Sequence, residues 1–282
     1  MIIHHKKEDL RQTLNGLRHK NQTIGFVPTM GALHDGHLSL IDQGLQENDK
    51  MVVSIFVNPT QFDNTNDLEK YPRTLDRDLK FLKRLSDEII VYAPMADDIY
   101  GSSVTSEYFD FDGLEHQMEG KFRKGHFDGV GTVVKRLFEI VAPDAAYFGN
   151  KDFQQLRIIQ KLVQKHDLPV NVVGCEIFRA EDGLAMSSRN ERLTTAHRDA
   201  APFIYKILKS VKIRFGTESA NQVTEWVVNQ FAKHDLLELE YFTIADEATL
   251  EAVKRKSKSK SYRAFIAVFA GDIRLIDNIA LN

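Results

Sequence analysis

The chain has 282 residues, 43% hydrophobic and 27% charged, and 37 Lys and Arg against 40 Asp and Glu leave a formal net charge of −3. That balance speaks against nucleic acid or an anionic membrane as a partner, and a lone cysteine, Cys175, excludes both a disulfide scaffold and a cysteine-based zinc site. The longest apolar runs, Met51–Val57 and Ala264–Ala270, are strand-sized and far below the roughly 18 residues of a membrane span; the start, Met1–Lys7, lacks the order of a signal peptide, so a cytoplasmic protein is expected. Thr23–Pro28 reads as a strand stopped by Pro28, and Leu38–Leu45 has helical spacing. Met51–Val57 reads as a strand covered on both faces, Leu75–Leu85 as a helix and Glu88–Tyr92 as a further strand. Val130–Val141 and Asp152–His166 are predicted helices, and Ala145–Phe148 and Val170–Val173 short strands. Strand and helix alternating at this spacing predict an α/β fold, a doubly wound Rossmann-like parallel sheet. In the tail, helices over Arg198–Phe215 and Asn221–Lys233 precede strands over Glu238–Ile244, Tyr262–Ala270 and Arg274–Ile276, which predicts a smaller C-terminal α+β domain. The expected division is 1–178 and 179–282, the second part being a possible lid.

Several segments carry residues suited to chemistry. Pro28–His37 runs from the end of a strand into a helix, the place where open α/β sheets bind ligands. Gly31 permits a tight turn, Gly36 opens the helix, and His34 and His37 lie one turn apart, able to donate to phosphate oxygens. The structural alternative is a turn bearing two surface histidines. Asn58 and Gln61 follow the strand Met51–Val57; their amides suit a substrate with hydroxyls and a carboxylate, while Asn-Pro also simply begins turns. Glu119–Val130 is glycine-rich, bears Arg123, Lys124 and His126, and reads as an anion site, a mobile lid or a plain surface loop. Gly149 turns the chain into Lys151, a point charge for phosphate, and Asp152, which could accept from ribose hydroxyls or cap the helix. Gln154 and Gln155 are adjacent, so one at most faces a site there. Ser187, Ser188 and Arg189 after a glycine turn form a phosphate clamp or an ordinary cap. Lys254–Lys260 is read as a solvated loop, and Cys175 as core filler.

The string Pro28-Thr-Met-Gly-Ala-Leu-His-Asp-Gly-His37 resembles the His-x-Gly-His block of nucleotidyl transferases and class I synthetases, and in its full width that of the pantoate–β-alanine ligase family. Val53–Phe62, Lys70–Asp76, Glu119–Val130, Phe148–Leu156 and Asp182–Asn190 resemble that family's further blocks in order, and Arg274–Asn278 matches its structural ending. Asn150 and Phe153 depart from the family's usual Glu and Tyr. The resemblance implies ATP-dependent condensation of pantoate with β-alanine through a pantoyl adenylate, releasing pyrophosphate and AMP. It implies His37, His34, Lys151 and Arg189 as catalytic residues, and an ATP site of Met30, Gly31, His34, His37, Gly149, Lys151, Asp152, Phe178, Met186, Ser187, Ser188 and Arg189. Gln61, Gln155 and Asn58 would bind pantoate. Mg²⁺ would travel on the triphosphate, with no metal held by the protein alone, and a homodimer is expected. Two other readings share the first block: an adenylyltransferase acting on a phosphorylated acceptor, which has no need of Gln61 and Gln155, and a non-enzymatic relative that binds nucleotide or RNA.

Overall fold

Six strands form the first sheet: β1 (Ile2–His4), β2 (Ile24–Thr29), β3 (Lys50–Ile55), β4 (Ile90–Tyr92), β5 (Ala145–Gly149) and β6 (Asn171–Cys175). Their order is β1-β4-β3-β2-β5-β6, and every pairing is parallel. The computed structural model describes residues 1–62, 68, 69 and 71–282; Lys70, which opens the third block, lies outside them. The chain divides into a first unit, Met1–Asn150 with Gln154–Glu176, and a second, Lys151–Phe153 with Ile177–Asn282.

In the first unit apolar side chains line both faces of the sheet, as an all-parallel sheet requires. Val27, Val53 and Val91 pack with Leu38 and Ile41 of the helix Asp35–Glu47 and Leu82 of the helix Leu75–Lys83. Phe26 meets Phe138 of the helix His126–Val141 edge to face at 6.3 Å. Progression from β2 through β3 to β4 runs one way across the sheet, and β5 and β6 lie on the other side of β2. The order therefore reverses between β2 and β5, and the carboxyl ends of these strands flank the crevice that open α/β sheets use for ligands.

Pro28 does not end its strand. β2 continues to Thr29, with Pro28 opposite Ser54 of β3. The Ile24 amide donates to the Asp144 side chain (Oδ2) at 2.7 Å and the Ile24 carbonyl accepts the Asp144 amide at 2.9 Å, both on the β5 side, so by alternation Pro28 also turns its nitrogen to that side. Pairing with β5 stops at Phe26, so the missing N–H of Pro28 falls beyond the ladder.

The second unit holds an antiparallel sheet of β7 (Glu238–Asp246), β8 (Tyr262–Ala270) and β9 (Ile273–Ala280), in that order. Ile207, Leu208 and Val211 of the helix Phe203–Phe215 and Val223 and Val227 of the helix Ala220–Phe231 share a core with Ile266, Val268 and Leu275. The predicted helix from Arg198 is two helices, Thr195–Ala200 and Phe203–Phe215. Pro202 between them has no N–H to continue the ladder, and the Thr194 side chain caps the first by accepting from the His197 amide at 3.3 Å. β9 extends well beyond the predicted Arg274–Ile276.

Candidate active site

β2 delivers the chain into the turn Met30–Leu33, where Gly31 (φ +82°) and Ala32 (φ +50°) are both left-handed. A side chain at Gly31 would be strained by that φ, and its Cβ would stand 3.0 Å from Asp78 Oδ2 and 3.1 Å from Ile55 Cγ2. Asp78 is the centre of this turn. It is fully buried, and its carboxylate accepts the amides of Ala32 at 3.0 Å and Leu33 at 2.8 Å. Burial pushes its pKa up, and the two amides work against that shift by favouring the ionised form.

Directly after the turn, His34 caps the helix Asp35–Glu47 and His37 occupies its third position. The His34 amide donates to His37 Nδ1 at 3.3 Å. Nδ1 of His37 is therefore an acceptor, and the neutral ring carries its proton on Nε2. The two rings lie 4.0 Å apart between centroids, inclined at 37°.

The loop after β3 is fixed from several directions. Asn58, 1% exposed, accepts from Tyr100 Oη at 2.5 Å and from Thr60 Oγ1 at 3.2 Å. Its amide nitrogen donates to Gly129 O at 3.3 Å and to Gln61 Oε1 at 3.2 Å. Gly129 lets the helix His126–Val141 approach this loop, since a Cβ there would lie 2.3 Å from Thr60 O. Gln61 is half-buried, and its side-chain nitrogen lies 3.0 Å from Met30 Sδ, which ties the loops after β2 and β3 together. The Gln61 carbonyl accepts from Arg123 at 3.3 Å and from His126 Nδ1 at 2.9 Å. Arg123 also reaches His126 Nε2 at 3.3 Å. A guanidinium can only donate, so Nε2 accepts and Nδ1 carries the proton given to Gln61. Arg123 and His126 thus hold the Gln61 backbone.

Gly149 ends β5 opposite Cys175, whose thiol burial pushes up to about 11. The adjacent glutamines differ in their surroundings. Gln154 is buried and uses its amide on Leu114 O, Gln117 O and the Glu119 amide, at 2.8, 2.7 and 3.0 Å. Gln155 is half-buried.

The remaining candidates lie in the second unit. Lys151 Nζ stands 3.6 Å from Asp152 Oδ1, with Asp152 the more exposed. Phe178 is 43% exposed, and its carbonyl accepts the Met186 amide at 3.0 Å. Between them Arg179 and Ala185 form an antiparallel bridge, so a narrow hairpin leads into Ser187. Ser187 Oγ caps the short 3-10 turn Ser188–Arg192 by accepting the Arg189 amide at 3.2 Å. Both readings of Ser187, cap and phosphate donor, are compatible with that bond. Among the described residues, no group of three or more His, Cys, Asp or Glu could hold a metal ion, and no helix is long and apolar enough to cross a membrane.

Asp78 and Tyr100 escape sequence reasoning. The signal for Asp78 is present in retrospect: with Leu75, Leu79 and Leu82 it falls on the apolar face of its helix, where a carboxylate must find donors. Nothing local marks Tyr100.

A family model described as Pantoate-beta-alanine ligase matches residues 2–280. The chain is 59% identical to a pantothenate synthetase of Flavobacterium psychrophilum over 282 residues, 100% of each chain. Its fold matches the crystal structure of the pantothenate synthetase from Thermus thermophilus with a TM-score of 0.91 at 35% identity, covering 100% of this chain and 99% of that one. It also matches a Francisella tularensis pantoate-beta-alanine ligase complexed with beta-gamma ATP and beta-alanine, with a TM-score of 0.79 at 35% identity over 100% and 98% of the two chains.

Proposed function

The chain belongs to the pantoate-beta-alanine ligase family, and from that premise we propose how its residues join pantoate to β-alanine at the expense of ATP. The carboxylate of pantoate attacks the α-phosphorus and displaces pyrophosphate. The amine of β-alanine then attacks the pantoyl adenylate and displaces AMP. A carboxylate nucleophile needs no general base, so the first step calls for donors and cations where negative charge grows on phosphate oxygens. The observation that carries this reading is the close pair of imidazole rings after the carboxyl end of β2, with His37 Nδ1 accepting the His34 amide and Nε2 left to donate. His37 acts as the principal donor to the phosphates, with His34 beside it at the helix start.

Lys151 and Arg189 contribute positive charge to the triphosphate, and Ser187 and Ser188 add hydroxyl donors. Met30, Gly31, Gly149, Asp152, Phe178 and Met186 complete the nucleotide site. Gln61 and Gln155 bind pantoate; Gln154 is fully engaged inside the protein, which supports Gln155 as the one that faces substrate. Asn58, buried and saturated with internal bonds, serves pantoate by fixing Gln61. Mg²⁺ arrives on the triphosphate, whose oxygens and water supply its ligands. We further propose that the enzyme is a homodimer, as its family resemblance implies, and cytoplasmic, as its composition and lone cysteine lead us to expect. Neither an adenylyltransferase nor a non-enzymatic relative accounts for the full-length identity to pantothenate synthetases.

The deciding assay follows pyrophosphate and AMP from ATP, with and without each co-substrate. Pantoate alone should release pyrophosphate up to about one equivalent per site, one adenylate per bound nucleotide, and AMP should require β-alanine. AMP formation indifferent to pantoate would sink the proposal.

A further inference from the structure

We propose that the end of the chain is a positioning device for the nucleotide site: Asn278 fixes the backbone of Lys151, and Asp277, through Arg179, fixes the hairpin that leads into Ser187–Arg189. The proposal rests on the reading of Lys151 and Ser187–Arg189 as the residues that hold ATP. Sequence alone gives Arg274–Asn278 no role beyond closing the small domain. The structure buries Asp277 and Asn278 to 5% and 1% exposure, between the apolar Ile276 and Ile279. A purely structural strand end would be apolar here, because buried polar groups cost stability unless each finds a partner.

The partners are specific. Arg263 donates to Asn278 Oδ1 at 2.6 Å, so that oxygen is fixed toward the guanidinium, and Nδ2 is left to donate to Lys151 O at 2.9 Å. Arg263 is held by Glu247 at 2.8 Å and lies 4.1 Å above the Phe153 ring. Phe153 in turn meets Phe265 at 5.9 Å. The strip Lys151–Phe153 is thereby gripped at a carbonyl and at a ring two residues on. Phe153, where the family usually has Tyr, is buried in this grip. On the other side Arg179 forms a bidentate pair with Asp277 at 2.6 and 2.9 Å, donates to Gly183 O at 3.1 Å and stacks 3.7 Å over Tyr205. Asp277 Oδ1 also accepts the Asn278 amide at 2.7 Å, which couples the two halves of the device.

Asn278→Asp tests it. The variant keeps size and the acceptor for Arg263 but sets a carboxylate oxygen against the Lys151 carbonyl. Asn278→Ser, which loses both contacts without adding charge, serves if N278D does not fold. Thermal unfolding identifies the folded variant, and its KM for ATP and for β-alanine are measured beside those of Lys151→Ala. The proposal expects an ATP KM raised roughly tenfold, the scale of one lost buried hydrogen bond and a displaced contact group, with the β-alanine KM unchanged. An unchanged ATP KM, or equal rises for both substrates, overturns it. If Lys151→Ala itself leaves ATP handling intact, the underlying reading of Lys151 falls and takes the proposal with it. An impaired Lys151→Ala beside a normal Asn278 variant removes the positioning role alone.

Discussion

Asp78→Asn separates the turn that carries the histidines from the stability of the sheet beneath it. The carboxylate accepts two backbone amides, from Ala32 at 3.0 Å and Leu33 at 2.8 Å, with no solvent exposure. An asparagine has one acceptor oxygen. If it serves the shorter bond to Leu33, an NH₂ group faces the Ala32 amide, donor against donor. Setting a donor against the part-buried Ala32 amide costs about 2 kcal/mol, and removing a buried charge recovers part of that for the fold. The Met30–Leu33 turn relieves the clash by moving, and His34 and His37 move with it. Carried wholly into the transition state, about 2 kcal/mol is roughly a 30-fold fall in rate. The measurement is pantoate-dependent pyrophosphate release at saturating ATP, alongside urea unfolding. The expected result is a rate lower by one to two orders of magnitude with fold stability changed by no more than about 1 kcal/mol. A folded D78N enzyme with the wild-type adenylation rate would refute the argument that this carboxylate sets the geometry of the turn.

The same group gives a pH dependence with opposite signs for fold and function. Because burial raises the Asp78 pKa above 3.8, its charged form destabilises the folded state at pH above the raised value, and acidification toward 3.8 removes that cost. Adenylation falls over the same interval as an acceptor oxygen gains a proton, and a pH–rate profile of D78N should lack this acid limb; an unchanged limb would assign it elsewhere. His37→Ala should lower adenylation by on the order of 100-fold, the scale of a lost transition-state donor, and single-turnover pyrophosphate release reads it directly. Cys175 should resist thiol reagents at pH 8, since its pKa near 11 and its burial keep it protonated; stoichiometric labelling of the native protein, with loss of activity, would contradict that.

The alternating part of the fold is legible because parallel strands covered on both faces read as plain apolar runs, as Met51–Val57 does. β1 and the helix Lys7–Arg18 are not legible: the strand is three residues at the sheet edge, and the helix buries only Leu10 and Leu14. The residues that would meet phosphate stand out as Gly, His and Lys at the ends of predicted strands and as Ser and Arg after a glycine turn. Those that hold them do not. Arg123 and His126 read in sequence as part of an anion site, a mobile lid or a plain surface loop, and none of these readings shows that both reach one backbone carbonyl, that of Gln61, sixty-odd residues away. Such long-range contacts leave no periodicity to read. Gly129 likewise has meaning only once its helix lies against the Thr60 carbonyl.

Three residues, Lys151–Phe153, sit with the carboxyl-terminal unit although the chain reaches them before the sixth strand of the first. Swapping the region after Glu176 between homologous enzymes would therefore pair a foreign Asn278 and Arg263 with a resident tripeptide. A chimera that transplants 151–153 together with 177–282 keeps lock and key from the same parent, and it is this discontinuous cassette, not the linear carboxyl-terminal third, that protein engineers should treat as the exchangeable module.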